Sequence, residues 1–278
     1  TMIRRSLLPL QRYLLDRMVL RPTRHPIEHP TQQRVLLPFG ERILECFVQR
    51  NFRSDRPPEL VVLKFPGTGG RAERSTGFPM SLMKRQRVEV WTWNPPGYGR
   101  SEGRASLTEI ADAALTFWDE VKRRSGRNEM TTWLCGNSLG CATALHVASE
   151  VEPSASVTGL VLRNPPPLIP VVKRVARSYP LGGLMEPVID TLCDSMNAML
   201  TAPRVELPAV FLQSGLDSLV TPEDQNRLIA SYGGPSRVVV MEGLEHACPP
   251  NDDHFPRIAE SIDWLWNQTG CESRVCNR

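Results

Sequence analysis

Residues 130–150 read MTTWLCGNSLGCATALHVASE, and the order of residue types in this stretch decides the fold. Residues 130–135 form a short, nearly apolar run of the length and composition of a strand buried on both faces. Leu139–Glu150 follows with helical spacing, and Gly136-Asn137-Ser138-Leu139-Gly140 joins the two. This is G-x-S-x-G between a strand and a helix, the context in which a serine hydroxyl is lifted clear of a sheet. Gly136 and Gly140 are needed there because a Cβ would clash in so sharp a turn. The N–H of Leu139, at the start of the helix, would be aimed at an oxyanion forming beside Ser138. G-x-S-x-G alone is common by chance; strand, turn and helix in register make this one informative.

On either side of this stretch, strands and helices alternate. Residues 34–38 and 42–49 flank a Phe39-Gly40-Glu41 turn and read as a hairpin. Leu60–Phe65, Val88–Trp93, and residues 160–163, 209–213 and 237–241 repeat the short apolar signal. Residues 112–124 and 254–268 carry helical periodicity. Strands separated by helices of this size imply right-handed crossovers and a parallel sheet, with the hairpin as an antiparallel edge. Residues 165–207 break the rhythm. They open on Pro165-Pro166-Pro167, hold helical stretches at 171–177 and 186–200, and contain no strand. Such a length is too great for a plain connection, so a helical cap over the site is expected, against the alternative of a decorative insertion. The resulting organisation is a basic amphipathic helix and linker at 1–32, a core at 33–164 and 208–270, and the cap at 165–207.

A serine hydroxyl needs a base, and the chain offers five histidines. His25 and His29 lie in the linker and His146 lies within the helix after Ser138. His246 follows the last strand in the loop Glu242-Gly243-Leu244-Glu245-His246-Ala247 and is the expected base; His254, at a helix start, is expected to be a solvated polar residue. The imidazole needs a carboxylate to hold its tautomer. Asp217 sits directly after residues 209–213, at the strand end that shares the sheet edge with Ser138; Asp190 and Asp194 are weaker rivals. The order Ser138, Asp217, His246 is one of the known orders of such triads. A second oxyanion donor should come from Pro66-Gly67-Thr68-Gly69-Gly70, with Thr68 the first choice and Gly69 the second.

These motifs resemble the α/β-hydrolase superfamily in its serine hydrolase branch of esterases, monoacylglycerol lipases and serine aminopeptidases. FPGTGG (residues 65–70) is similar to the family's oxyanion loop, Gly97-Tyr98-Gly99-Arg100-Ser101-Glu102-Gly103 to its Gly-Tyr-Gly-x-Ser-x-Gly loop, GNSLG to its nucleophile elbow, and SGLDSLVTP with LEHA to its acid and base loops. The likeness runs from about Arg34 to Gln268. It implies a mostly parallel eight-stranded sheet with helices on both faces and a small helical cap. It also implies a triad at Ser138, Asp217 and His246, and oxyanion donors at Thr68 and Leu139. Two positions depart from the pattern: Pro66 replaces the usual histidine, and Cys141 stands where a second glycine is common.

The implied chemistry is cleavage of a carboxylic ester or thioester through an acyl-enzyme. Acyl transfer, peptidase and perhydrolase chemistry on the same triad are alternatives, as is a binding protein of this fold without turnover. No metal or organic cofactor is implied. Gly67-Thr68-Gly69-Gly70-Arg71-Ala72 also fits a dinucleotide fingerprint, but no acid stands at the end of the next strand, which closes in Trp93-Asn94-Pro95. The expected partner is a small acyl substrate and not nucleic acid, since the net charge is only +3. Residues 1–25 carry six arginines against Asp16, so this segment is +5 and the rest of the chain −2. Its helix, over residues 3–20, either packs on the body or lies on a membrane surface with its arginines toward the head groups. Seven scattered cysteines form no disulfide framework, apart from a weakly indicated Cys271–Cys276 pair, and the motifs lack a secretory leader; a cytoplasmic location, with membrane association left open, is expected.

Overall fold

A computed structural model of the chain describes residues 2–29, 31–53, 56–125, 131–151 and 157–269. Met130 and the Cys271–Cys276 pair lie outside them. Eight strands form one sheet: β1 (Gln33–Phe39), β2 (Arg42–Arg50), β3 (Leu60–Phe65), β4 (Val88–Trp93), β5 (Thr131–Asn137), β6 (Val157–Arg163), β7 (Ala209–Ser214) and β8 (Ser236–Met241). Their order is β1-β2-β4-β3-β5-β6-β7-β8. β1 and β2 pair antiparallel, as do β2 and β4; every later pair is parallel. The expected sheet and its antiparallel edge are therefore present.

The central strands are buried along their whole length: LVVLKF of β3, VEVWTW of β4 and AVFLQS of β7 each have at most one residue that is not buried. Such strands need cover on both faces. One face carries α1 (Met2–Val19), α2 (Leu107–Ser125), α3 (Leu139–Glu150) and α7 (Pro222–Ala230), which contribute Leu15, Phe117, Leu145 and Leu228 to one core cluster. The opposite face is closed by α8 (Phe255–Thr269), whose Ile258, Ile262 and Leu265 meet Val62, Trp133 and Val210.

Between β6 and β7 the chain forms α4 (Leu168–Arg177), α5 (Glu186–Ile189), α6 (Ala198–Thr201) and short 3₁₀ turns. The single helix expected over 186–200 is corrected to these shorter turns. Cys193 and Asn197 adopt extended conformations that interrupt it, and the Asn197 side chain accepts from Met199 N–H to start α6. The interruption lets Ile189, Leu192, Met196 and Ala198 all reach the core.

α1 packs on the body at its C-terminal half. Leu15, Val19 and Leu20 are buried, and the buried Asp16 carboxylate accepts from Leu107 N–H at 2.8 Å, tying α1 to the start of α2. The segment after α1, expected to be a linker, is bound into the fold. Arg71 donates to the carbonyls of Thr23 and His25 and pairs with the Glu73 carboxylate, and Gly99 N–H donates to Thr23 O.

Candidate active site

β5 ends at the C-terminal edge of the sheet, and α3 starts one residue later. Ser138, between them, is held at φ +53°, ψ −122°, a conformation few non-glycine residues adopt. The flanking glycines make this geometry reachable. A Cβ on Gly136 would lie 2.5 Å from Cys141 Cα, and one on Gly140 would lie 2.0 Å from Phe65 O. Helix α3 therefore rests directly on the backbones of β3 and β5. Cys141 does not loosen this contact: its side chain is buried and its Sγ lies 3.2 Å from Arg163 O.

Asp217 and His246 come to the same edge from the ends of β7 and β8. His246 Nε2 lies 3.0 Å from Ser138 Oγ, and His246 Nδ1 lies 2.6 Å from Asp217 Oδ2. The Asp217 side chain is fully buried. Its Oδ1 accepts from Leu219 N–H (3.0 Å) and Val220 N–H (2.8 Å), and Gln225 Nε2 donates to Oδ2. Every lone pair of this carboxylate thus has a partner, as a buried charge requires. Asp190 is exposed and pairs with Lys173, and Asp194 opens a 3₁₀ turn; neither joins this group.

His254 is not a solvated residue, which corrects the expectation from sequence. It is buried, its Nε2 lies 3.0 Å from Glu242 O, and its Nδ1 accepts from Asn251 N–H. It fastens the loop that carries His246 to the start of α8. His146 is buried within α3, away from the group, and burial lowers its pKa.

Asn164 was not singled out in the sequence. It follows β6, is fully buried, and takes the left-handed conformation at φ +50°. Its Oδ1 accepts from Ser214 N–H (2.9 Å), and its Nδ2 donates to Ser214 Oγ and to His246 O, both at 3.0 Å. One side chain thereby joins the strand end that carries Asp217 to the loop that carries His246. The only signal available was an asparagine at a strand end before proline. Beside it, Arg163 donates to Cys248 O, and burial lowers the pKa of its guanidinium.

The glycine-rich loop after β3 runs alongside Ser138. A Cβ on Gly67 would lie 3.2 Å from Asn137 O and 3.4 Å from Ser138 Cβ, so the loop passes in close contact with the turn that carries Ser138. Gly70 N–H donates to Gly67 O at 3.0 Å. Because the peptide is planar and trans, Thr68 N–H then points opposite to that carbonyl, out of the turn. Thr68 O is held from behind by Tyr98 Oη (2.6 Å) and Arg21 N–H (3.1 Å). Leu139 N–H belongs to the first turn of α3, where amides have no partner within the helix. A narrow cavity below is lined by Pro66, Gly67, Trp93, Tyr98, Leu139 and Thr143.

A family model described as serine aminopeptidase, S33 matches residues 56–192, which include the glycine-rich loop and Ser138. An α/β hydrolase from Vibrio vulnificus aligns with 92% of this chain and 94% of its own, at TM-score 0.68 and 18% identity. The chain has the α/β-hydrolase fold, and its residues 56–192 resemble the serine aminopeptidase S33 family. An esterase from Pyrococcus furiosus has the same fold at TM-score 0.67 and 13% identity, over 90% of this chain and 99% of its own. Est1E from Butyrivibrio proteoclasticus, solved with ferulic acid bound, follows at TM-score 0.63 and 14% identity, over 84% and 98%. In sequence, an uncharacterized Mycobacterium tuberculosis protein is 29% identical over 162 residues, or 58% of this chain. The match spans 54% of that relative's length. Among the described residues, no helix is long and apolar enough to cross a membrane.

Proposed function

We propose that the chain is a serine hydrolase that cleaves a carboxylic ester or thioester through an acyl-enzyme on Ser138. The observation that carries this reading is the contact chain from Ser138 Oγ through His246 to the buried Asp217 carboxylate, with steps of 3.0 and 2.6 Å. Asp217 holds the Nδ1–H tautomer, which leaves Nε2 free to take the Ser138 proton as Oγ attacks the substrate carbonyl. The N–H groups of Thr68 and Leu139 hold the tetrahedral oxyanion. The imidazolium then protonates the leaving group, and water repeats the sequence on the acyl-enzyme.

Residues 165–207 act as the cap in this reading, with the buried Leu168, Val171 and Met196 on its inner side. The apolar make-up of residues 165–207, with Leu168, Ile169, Val171, Val172, Met196 and Met199, favours an acyl group of small to medium chain length over a peptide segment. The decisive experiment is labelling by a fluorophosphonate probe, for the wild type and Ser138→Ala in parallel, with p-nitrophenyl ester turnover read in the same samples. Labelling and turnover that both vanish in the variant support the reading. Labelling without ester turnover redirects it to acyl transfer or another acyl donor. A folded wild type that takes no label removes it in favour of a non-catalytic binding protein.

A further inference from the structure

The C-terminal half of α1 is buried, but the opposite side of the helix is not. Leu7, Leu10 (56% exposed) and Leu14 lie on one stripe at spacings of three and four residues. Arg17 and Arg21 continue the same stripe and are exposed. α1 packs along α5, and α5 follows directly on the turn that spans residues 179–185. That turn presents Tyr179, Leu181 (80% exposed) and Leu184 to solvent. Leu181 does so from the left-handed conformation at φ +61°, which disfavours a branched aliphatic residue. Singly exposed leucines need no explanation; clustered on two adjoining elements, they mark an interaction surface.

We propose that the outer stripe of α1 and the tip at 179–184 dock together on an anionic lipid bilayer. Charge selects the occupant. The segment 1–25 carries +5 on a body of −2, and Arg17 and Arg21 lie exposed at the end of the apolar stripe, as suits a basic helix lying in the head-group plane. A second copy of the chain meets the same surface less well. In a two-fold contact the +5 segment of one copy would face the +5 segment of the other, and the one acid in it, Asp16, is buried. α1 lies on such a surface and does not span it. Its C-terminal end also reaches the loop beside Ser138 through Arg21 N–H to Thr68 O, so docking would set the site near the bilayer. The inference stands on the surface and not on the chemistry at Ser138.

The test is co-sedimentation of the full chain with vesicles of phosphatidylcholine alone, and of phosphatidylcholine with about one third phosphatidylglycerol. Expected is binding to the anionic vesicles that weakens at least tenfold in neutral ones and falls as salt rises. The pairs Leu7→Glu with Leu10→Glu, and Leu181→Glu with Leu184→Glu, should each weaken binding at least tenfold without changing the melting temperature or fluorophosphonate labelling in solution. The two pairs lie on different elements, so misfolding of one leaves the other informative. Absence of vesicle binding by the wild type overturns the proposal, as does binding that both pairs leave intact. A dimer that the leucine variants convert to monomer, with no vesicle binding, also overturns it and assigns the surface to a second copy.

Discussion

Asn164 offers the sharpest test of how the candidate site is held. Replacing it with glycine keeps the left-handed backbone open while removing the amide, so the variant isolates the hydrogen bonds from the strain. Three bonds are lost: Ser214 N–H to Oδ1, and Nδ2 to Ser214 Oγ and to His246 O. Asn164 and Ser214 are fully buried, so the Ser214 N–H is left without water as a substitute. A buried group stranded in this way costs about 1–3 kcal/mol, and the other two bonds add about 1 kcal/mol each. The sum, roughly 3–5 kcal/mol, is a large part of a typical stability of about 5–15 kcal/mol, so the variant should fold but melt clearly earlier. Function should suffer more than stability predicts. The lost bond to His246 O frees the loop that sets Nε2 against Ser138, and a misplacement of about 1 Å costs on the order of a hundredfold in rate. The assay is the rate of fluorophosphonate labelling at Ser138, measured well below the melting temperature across pH 5–9, beside a urea melt. Labelling slowed roughly tenfold or more, with a displaced pH profile, supports the positioning role. A destabilised variant that labels at the wild-type rate with the same pH profile would refute it and leave Asn164 as a purely structural residue.

Four further outcomes follow from the surroundings of particular residues. Burial pushes the pKa of the Lys64 ammonium down to about 8, and its Nζ donates to Thr76 O at 2.7 Å. The unfolded chain therefore binds more protons than the folded one between about pH 8 and the ordinary lysine value, and stability rises with pH across that window. Lys64→Met should be more stable than the wild type at pH 7 by about 2 kcal/mol, and chemical denaturation should find this advantage shrinking as pH approaches 10. Gly140→Ala should abolish a folded, probe-reactive protein, because the added Cβ meets the Phe65 backbone. Gly183→Ala, where nothing lies within 4 Å, should be neutral or stabilising by up to about 1 kcal/mol in thermal melts. Asp16→Ala should cost about 1–2 kcal/mol by removing the acceptor of Leu107 N–H, while Asp16→Asn, which keeps an acceptor and removes a charge that burial disfavours, should match or exceed the wild type at pH 7.

The sheet was legible because its strands are apolar on both faces, a signal that one sequence carries without help. The elbow was legible because glycine is demanded at Gly136 and Gly140 by backbone contacts of 2.0–2.5 Å, which no other residue satisfies. Asp217 and His246 could be proposed because each follows a strand at the same edge. The rest escaped for identifiable reasons. Ile189, Leu192 and Met196 recur at spacings of three and four, which a continuous helix and a chain of 3₁₀ turns share, so periodicity could not separate them. His254 and Asn164 act through backbone carbonyls distant in sequence, Glu242 O and His246 O, and such partners leave no pattern of side chains to read.

The N-terminal segment shows the same limit most clearly. Pro22, Pro26 and Pro30 suggest a linker, and its composition gives no reason to attach it to the glycine-rich loop beside Ser138. In the fold it lies behind that loop. Arg21 N–H and Tyr98 Oη both bond Thr68 O, Arg24 reaches the carbonyls of Gly97 and Gly103, and Arg71 binds Thr23 and His25 from the far side of the glycine turn. A loop of small residues has little packing of its own to define it. A turn whose N–H groups must face a developing oxyanion works only if its carbonyls are anchored elsewhere. Here that anchoring comes from the backbone of residues 21–25 and from a tyrosine in the next loop. The segment nearest the basic helix therefore also holds Thr68, the proposed donor, and a force that moves α1 on the body reaches the geometry beside Ser138 through Arg21 N–H and Thr68 O.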